Sequence, residues 1–176
     1  MTRVSYVLGS LFTLGLAIGC GSKAPPPTTT PTTDPAPTTA KILVNADEEG
    51  TAILGFDSVA YHKDGKVTPG SGDNAVAHGG ANYWFASPDH KAAFTAEPGK
   101  FAPQYGGYCA YAMAQGRLSP VQPEVFEIYE GQLLLFTNPE FKKLFDADPA
   151  KHKAAADQNW PKLVEQHGKP APATAP

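Results

Sequence analysis

The chain has 176 residues, 41% hydrophobic and 18% charged, with 14 basic and 17 acidic side chains and a formal net charge of −3, the make-up of one ordinary globular domain. A balance so near neutral excludes a polyanion-binding surface for nucleic acid or an anionic membrane. Nine of the 18 prolines lie between Lys41 and His167, but so do 16 of the 18 aromatic residues, and the packed core is expected there.

In chain order, residues 1–19 read as a leader and are left out of fold reasoning. Arg3 precedes an apolar run from Val4 to Ile18, too short for a permanent span, and Gly19-Cys20 follows at once. This resembles a bacterial lipoprotein signal, with Cys20 as the lipidated residue and Ala17 where Leu is usual. The resemblance implies attachment to the periplasmic side of a bacterial membrane through a lipid anchor. Gly21 rather than Asp after Cys20 resembles lipoproteins sent on to the outer membrane. Residues 20–40 include six Pro and seven Thr, which gives a largely extended tether of up to about 60 Å at about 3.1 Å per residue. With Cys20 acylated, Cys109 is the one remaining thiol, so the mature chain has no internal disulfide and no C-x-x-C pair.

Residues 41–167 read as alternating short strands and helices, an α+β domain. Ala52 to Tyr61 carries bulky Ile53, Phe56 and Val59 ahead of turn signals at Gly65 and Gly70, and Asn82 to Ala86 reads as a strand after Gly79-Gly80. Ser87-Pro88-Asp89 starts a helix that runs to about Ala96: serine caps, proline loses nothing at the first position, and Asp89 meets the positive dipole end. Pro103 to Gln115 is read as a second helical stretch, in which Gly106 and Gly107 cost stability unless a close neighbour needs them. Val125–Tyr129 and Gln132–Thr137 make a hairpin around Glu130-Gly131. Asn138-Pro139 and Asp148-Pro149 start helices expected to end near Asp146 and Asn159, and residues 168–176 are expected to be an unstructured tail. No internal repeat of 20 to 50 residues stands out.

Four pieces in this order carry a resemblance: Gly55-Phe56-Asp57-Ser58-Val59-Ala60-Tyr61; Tyr83-Trp84-Phe85-Ala86-Ser87 with Phe94; Pro103-Gln104-Tyr105-Gly106-Gly107-Tyr108-Cys109-Ala110-Tyr111-Ala112; and Asn159-Trp160-Pro161. Together they resemble the bacterial YHS-domain proteins. The resemblance implies a small TRASH/YHS-like β-hairpin and helix unit with a C-terminal hairpin and helices, and a metal-handling role without an established reaction. The thiolate positions of metal-binding YHS units fall here on Ala60, Ala86 and His90, which removes a tetrahedral thiolate zinc site.

The remaining donors suit copper. Cys109 and Met113, four apart on an expected helix, present a thiolate and a thioether from one face, a soft pair for Cu(I). His90, in a first helical turn, is kept neutral and free to ligate. Each also has a plain structural reading, Cys109 and Met113 as core residues and His90 as an exposed helix residue. His78 reads as a turn residue, and His62, His152 and His167 as surface residues. Tyr105, Tyr108 and Tyr111, three apart, form a stripe on that helix. No esterase, metalloprotease, phosphate-loop or dinucleotide motif is present, so no enzymatic activity is expected. The sequence thus leaves two functions: copper binding by Cys109 with Met113 or His90, or a metal-free domain that recognises a protein or small ligand through its aromatic surface.

Overall fold

The computed structural model describes residues 40–171. The leader, Cys20, the tether up to residue 39 and the last five residues lie outside the described residues.

The domain is α+β. Strand β1 (Lys41–Ile42) leads to a left-handed turn at Ile53–Gly55, then α1 (Ser58–Lys63), β2 (Ser71–His78), β3 (Ala81–Phe85), α2 (Pro88–Ala96) and α3 (Pro98–Phe101). A second turn at Gln104–Gly107 leads to α4 (Ala110–Ala114), β4 (Gln122–Tyr129), β5 (Gln132–Phe136), α5 (Pro139–Asp146), α6 (Pro149–His167) and β6 (Lys169–Pro170). Each sheet has two antiparallel strands: β1 with β6, β2 with β3, β4 with β5. The long helices start as the cap signals require. Ser87 Oγ accepts from His90 N, Asn138 Oδ1 from Phe141 N and Asp148 Oδ1 from Lys151 N, each with proline behind it.

An internal repeat is present that the sequence reading missed. Successive elements recur 51 positions on: β2 begins at 71 and β4 at 122, β3 at 81 and β5 at 132, α2 at 88 and α5 at 139, α3 at 98 and α6 at 149. Even the irregularities recur, since the bulge between Ser71 and Ala75 is matched by one between Gln122 and Phe126. Upstream the spacing is 52, because α1 has six residues and α4 five. Asp57 N donates to Thr68 O at 2.8 Å and Cys109 N to Ser119 O at 3.1 Å. Residues recur where the backbone or core demands one shape, at Gly65 and Gly116, Pro69 and Pro120, Gly80 and Gly131, Phe85 and Phe136, Phe94 and Phe145, and at few positions besides. All four of those phenylalanines are fully buried. Phe94 meets Phe85 at 4.9 Å between ring centres, and Phe145 meets Phe136 at 5.3 Å. Burying a side chain of this size contributes about 1.5–3 kcal/mol.

Three expectations are corrected. The stretch from Pro103 to Gln115 is not one helix, because Tyr105, Gly106 and Gly107 take left-handed φ values of 54°, 58° and 81° and the helix starts only at Ala110. The cause is a close approach: a β-carbon at Gly106 meets the Leu43 carbonyl and Val44 Cα. Helix α6 does not stop near Asn159 but runs through Pro161 to His167. Asn159 Nδ2 donates to the Met113 and Ala114 carbonyls at 3.1 and 3.2 Å, which ties α6 to the end of α4 where proline alone favours a break. Finally, Lys169–Pro170 pairs with Lys41–Ile42, so ordered chain continues past His167 into the expected tail.

Candidate functional site

Asp57 and Cys109 occupy equivalent places in the two repeats, each capping the helix that follows it. Cys109 Sγ accepts from Ala112 N at 3.5 Å, and Asp57 Oδ1 accepts from Val59 N at 2.8 Å and Ala60 N at 3.2 Å. The carboxylate does more than cap. Its Oδ2 accepts from Ala86 N at 2.8 Å and binds His90 Nδ1 at 2.7 Å, all in a fully buried position.

The backbone donors make Asp57 an acceptor, so His90 Nδ1 donates to it and Nε2 faces away from the carboxylate. Helix α2 holds the ring in place from its first turn, where Ser87 caps His90 N at 3.2 Å. Nε2 lies 4.0 Å from Asp64 Oδ2, with the His90 side chain 16% exposed and that of Asp64 47% exposed. A buried carboxylate, an oriented imidazole and a half-exposed second carboxylate therefore lead in line from core to solvent. Ala60, Ala86 and His90, which the family resemblance matched to thiolate positions, all donate an N–H to Asp57.

The other expected ligands lie elsewhere in the architecture. Cys109 and Met113 are both fully buried in the core. Cys109 sits at the cap of α4 rather than inside a helix, and the tyrosine stripe is not formed. Tyr105 in its turn donates to Asp157 Oδ1 at 2.8 Å, Tyr108 reaches the Val44 carbonyl at 3.4 Å, and Tyr111 meets Phe141 and His152 edge-on. Burial and the bond to Asp157 raise Tyr105 far above the usual phenol range, and burial pushes Tyr83 up to about 12. Both stay neutral packing groups. His78 packs on Tyr83 and Phe94, and His152 Nδ1 lies 3.1 Å from the Phe145 carbonyl.

Two further polar groups occur in the first repeat only. Ser58 Oγ and His62 Nε2, one helical turn apart on α1, are buried without a hydrogen-bond partner among the described residues. Burial first, and then Lys100, lower the His62 pKa. Their counterparts in α4 are Ala110 and Ala114.

Sequence reasoning found His90 but not Asp57 or Asp64. The available signal was Asp57 as a cap before Ser-Val-Ala-Tyr, obscured because Ala52–Tyr61 carries strand-like bulky residues. Among the described residues, no group of three or more His, Cys, Asp or Glu is placed to hold a metal ion. No protein-family model, curated protein or solved structure matches the chain.

Proposed function

We propose that this chain is a lipid-anchored periplasmic domain of the YHS type that binds a borderline divalent transition metal, copper or zinc, at His90 Nε2 with help from Asp64. One observation carries the reading: the 2.7 Å bond from a fully buried Asp57 to His90 Nδ1. Metal-ligating histidines are commonly oriented this way by a carboxylate on the other ring nitrogen, which fixes the tautomer and raises the basicity of the ligating one. The donor chemistry supports a borderline divalent ion. Imidazole and carboxylate suit Cu(II) or Zn(II), whereas a Cu(I) site built on Cys109 requires a thiol that is fully buried and caps α4. Two protein donors leave further positions for water or for a donor from a partner, an arrangement for capture and release rather than for a closed structural site.

Buried Cys109 favours a second reading, in which the domain recognises a protein or small ligand through its aromatic surface without metal. The test separates the two. Cu(II) added to the purified full chain should give nitrogen hyperfine structure in its electron paramagnetic resonance spectrum. His90→Ala should abolish that signal and Asp64→Asn should weaken binding, while Cys109→Ser keeps it. Unchanged copper binding in His90→Ala would end the metal reading and leave recognition as the function. The anchor is tested separately, by fatty-acid labelling that should mark the wild type and not Cys20→Ala.

A further inference from the structure

Residues Lys41–Ala46 lie across the domain as an extended strap. Lys41 and Ile42 pair with Pro170 and Lys169, and Lys41 Nζ reaches the carbonyl and the carboxylate of Glu165 at 2.6 and 2.7 Å. At the other end Asn45 donates from its backbone to Gly106 O at 2.8 Å and from its side chain to Gly107 O at 3.1 Å. The bed is moulded to this segment. A β-carbon at Gly80 meets the Ile42 side chain, and one at Gly106 meets the backbone of Leu43 and Val44. Yet Ile42, Leu43 and Val44 are only half-buried, and all three line both of two flanking cavities of about 300 and 480 Å³. The strap is tied by backbone and polar bonds at its two ends, while Leu43, Val44 and Ala46 pack on the core from one side only and stay half-buried, so it opens at lower cost than the fully buried core does.

A bed that takes an extended segment by main-chain bonds and side-chain clearances is a surface for strand addition. Its present occupant is joined to the domain only through the turn Asp47–Gly50, closed by Gly50 N to Asp47 O at 3.0 Å and Thr51 N to Asp47 Oδ1 at 2.6 Å. We propose that the bed also takes the strap of a second copy, two chains exchanging residues Lys41–Ala46 by opening that turn. Exchange re-forms every strap contact with the same residues of the other chain, so its cost is confined to association and to the turn. A second copy is the occupant because the clearances over Gly80 and Gly106 match Ile42, Leu43 and Val44.

The test uses full chains carrying Cys20→Ser, in which Cys109 is buried and only introduced thiols are exposed. One preparation carries Lys41→Cys and the other Pro170→Cys, two exposed positions that are register partners. After mixing, equilibration and oxidation, disulfide heterodimer should form several-fold above the level given by Lys41→Cys with Glu130→Cys, which lies at the tip of the β4–β5 hairpin. The double variant Lys41→Cys/Pro170→Cys closes within one chain and establishes that the pair can bond. Given that closure, heterodimer at the control level would overturn strap exchange.

Discussion

The unit from Ile53 to Phe101 and the unit from Tyr105 to His152 are assembled from the same parts in the same order, and they differ most at their capping centres. The first has Asp57, Asp64 and His90 where the second has Cys109, Gln115 and Phe141. It also carries the unpartnered Ser58 and His62 where the second has alanines. The second unit forms its capped helix, bulged hairpin and proline-started helix around apolar residues, so the architecture does not require the polar set. Burying a carboxylate and leaving hydroxyl and imidazole groups unpaired both cost stability. Polar groups that the second unit's architecture does without are what set the first unit's centre apart from a packing centre.

The strongest way to break this comparison is in the shared core. Phe94→Ala and Phe145→Ala each remove a fully buried ring at equivalent positions, and each should cost about 3–5 kcal/mol in urea unfolding. Costs that differ by more than half of that range would mean that the repeats share a path but not a packing. The centres should instead respond unequally. Asp57→Ala leaves the buried amides of Val59 and Ala60, and the more exposed amide of Ala86, without their acceptor, a loss of about 2–6 kcal/mol from the two buried donors at about 1–3 each. Cys109→Ala removes one weak sulfur cap and a small volume, and should cost about 1 kcal/mol. Equal losses would remove the distinction between a polar and an apolar centre.

The smallest effect concerns pH. Folding lowers the His62 pKa through burial and Lys100, so the folded state favours the neutral ring. Its contribution is complete above the unfolded value of about 6.5 and is lost as pH falls through the lower folded value. His62→Gln should therefore flatten the fall in melting temperature between about pH 7 and pH 5 relative to wild type. An unchanged slope would assign acid sensitivity to other groups. Ala114, the counterpart in the second repeat, makes no such contribution.

Much of the fold was legible because it is encoded locally. Ser87-Pro88, Asn138-Pro139 and Asp148-Pro149 state a cap and a first helical position within two residues, and α2, α5 and α6 begin where those signals place them. The hairpin around Glu130-Gly131 was equally plain, and both turn residues are left-handed, with φ of 51° and 76°. The repeat was not legible, since its halves share backbone path more than side-chain identity. His90 was legible as a donor on a helix start. Asp57 was not, because what distinguishes it from any other cap is Ala86 and His90, 29 and 33 residues along the chain.

By itself the sequence determined what depends on neighbours within a turn or two: where helices begin, where one hairpin reverses, which stretch holds the aromatic core, and the α+β class. Tertiary structure decided what depends on an approach from a distance. The Leu43 carbonyl against Gly106 turned an expected helix into a left-handed turn. Asn159 bound to α4 carried α6 past Pro161, and Lys41–Ile42 drew Lys169–Pro170 out of an expected tail. The same approaches buried Cys109 and Met113 and turned His90 toward Asp57, because backbone propensity acts within a few residues while a buried polar group takes its partner from whichever segment packs against it.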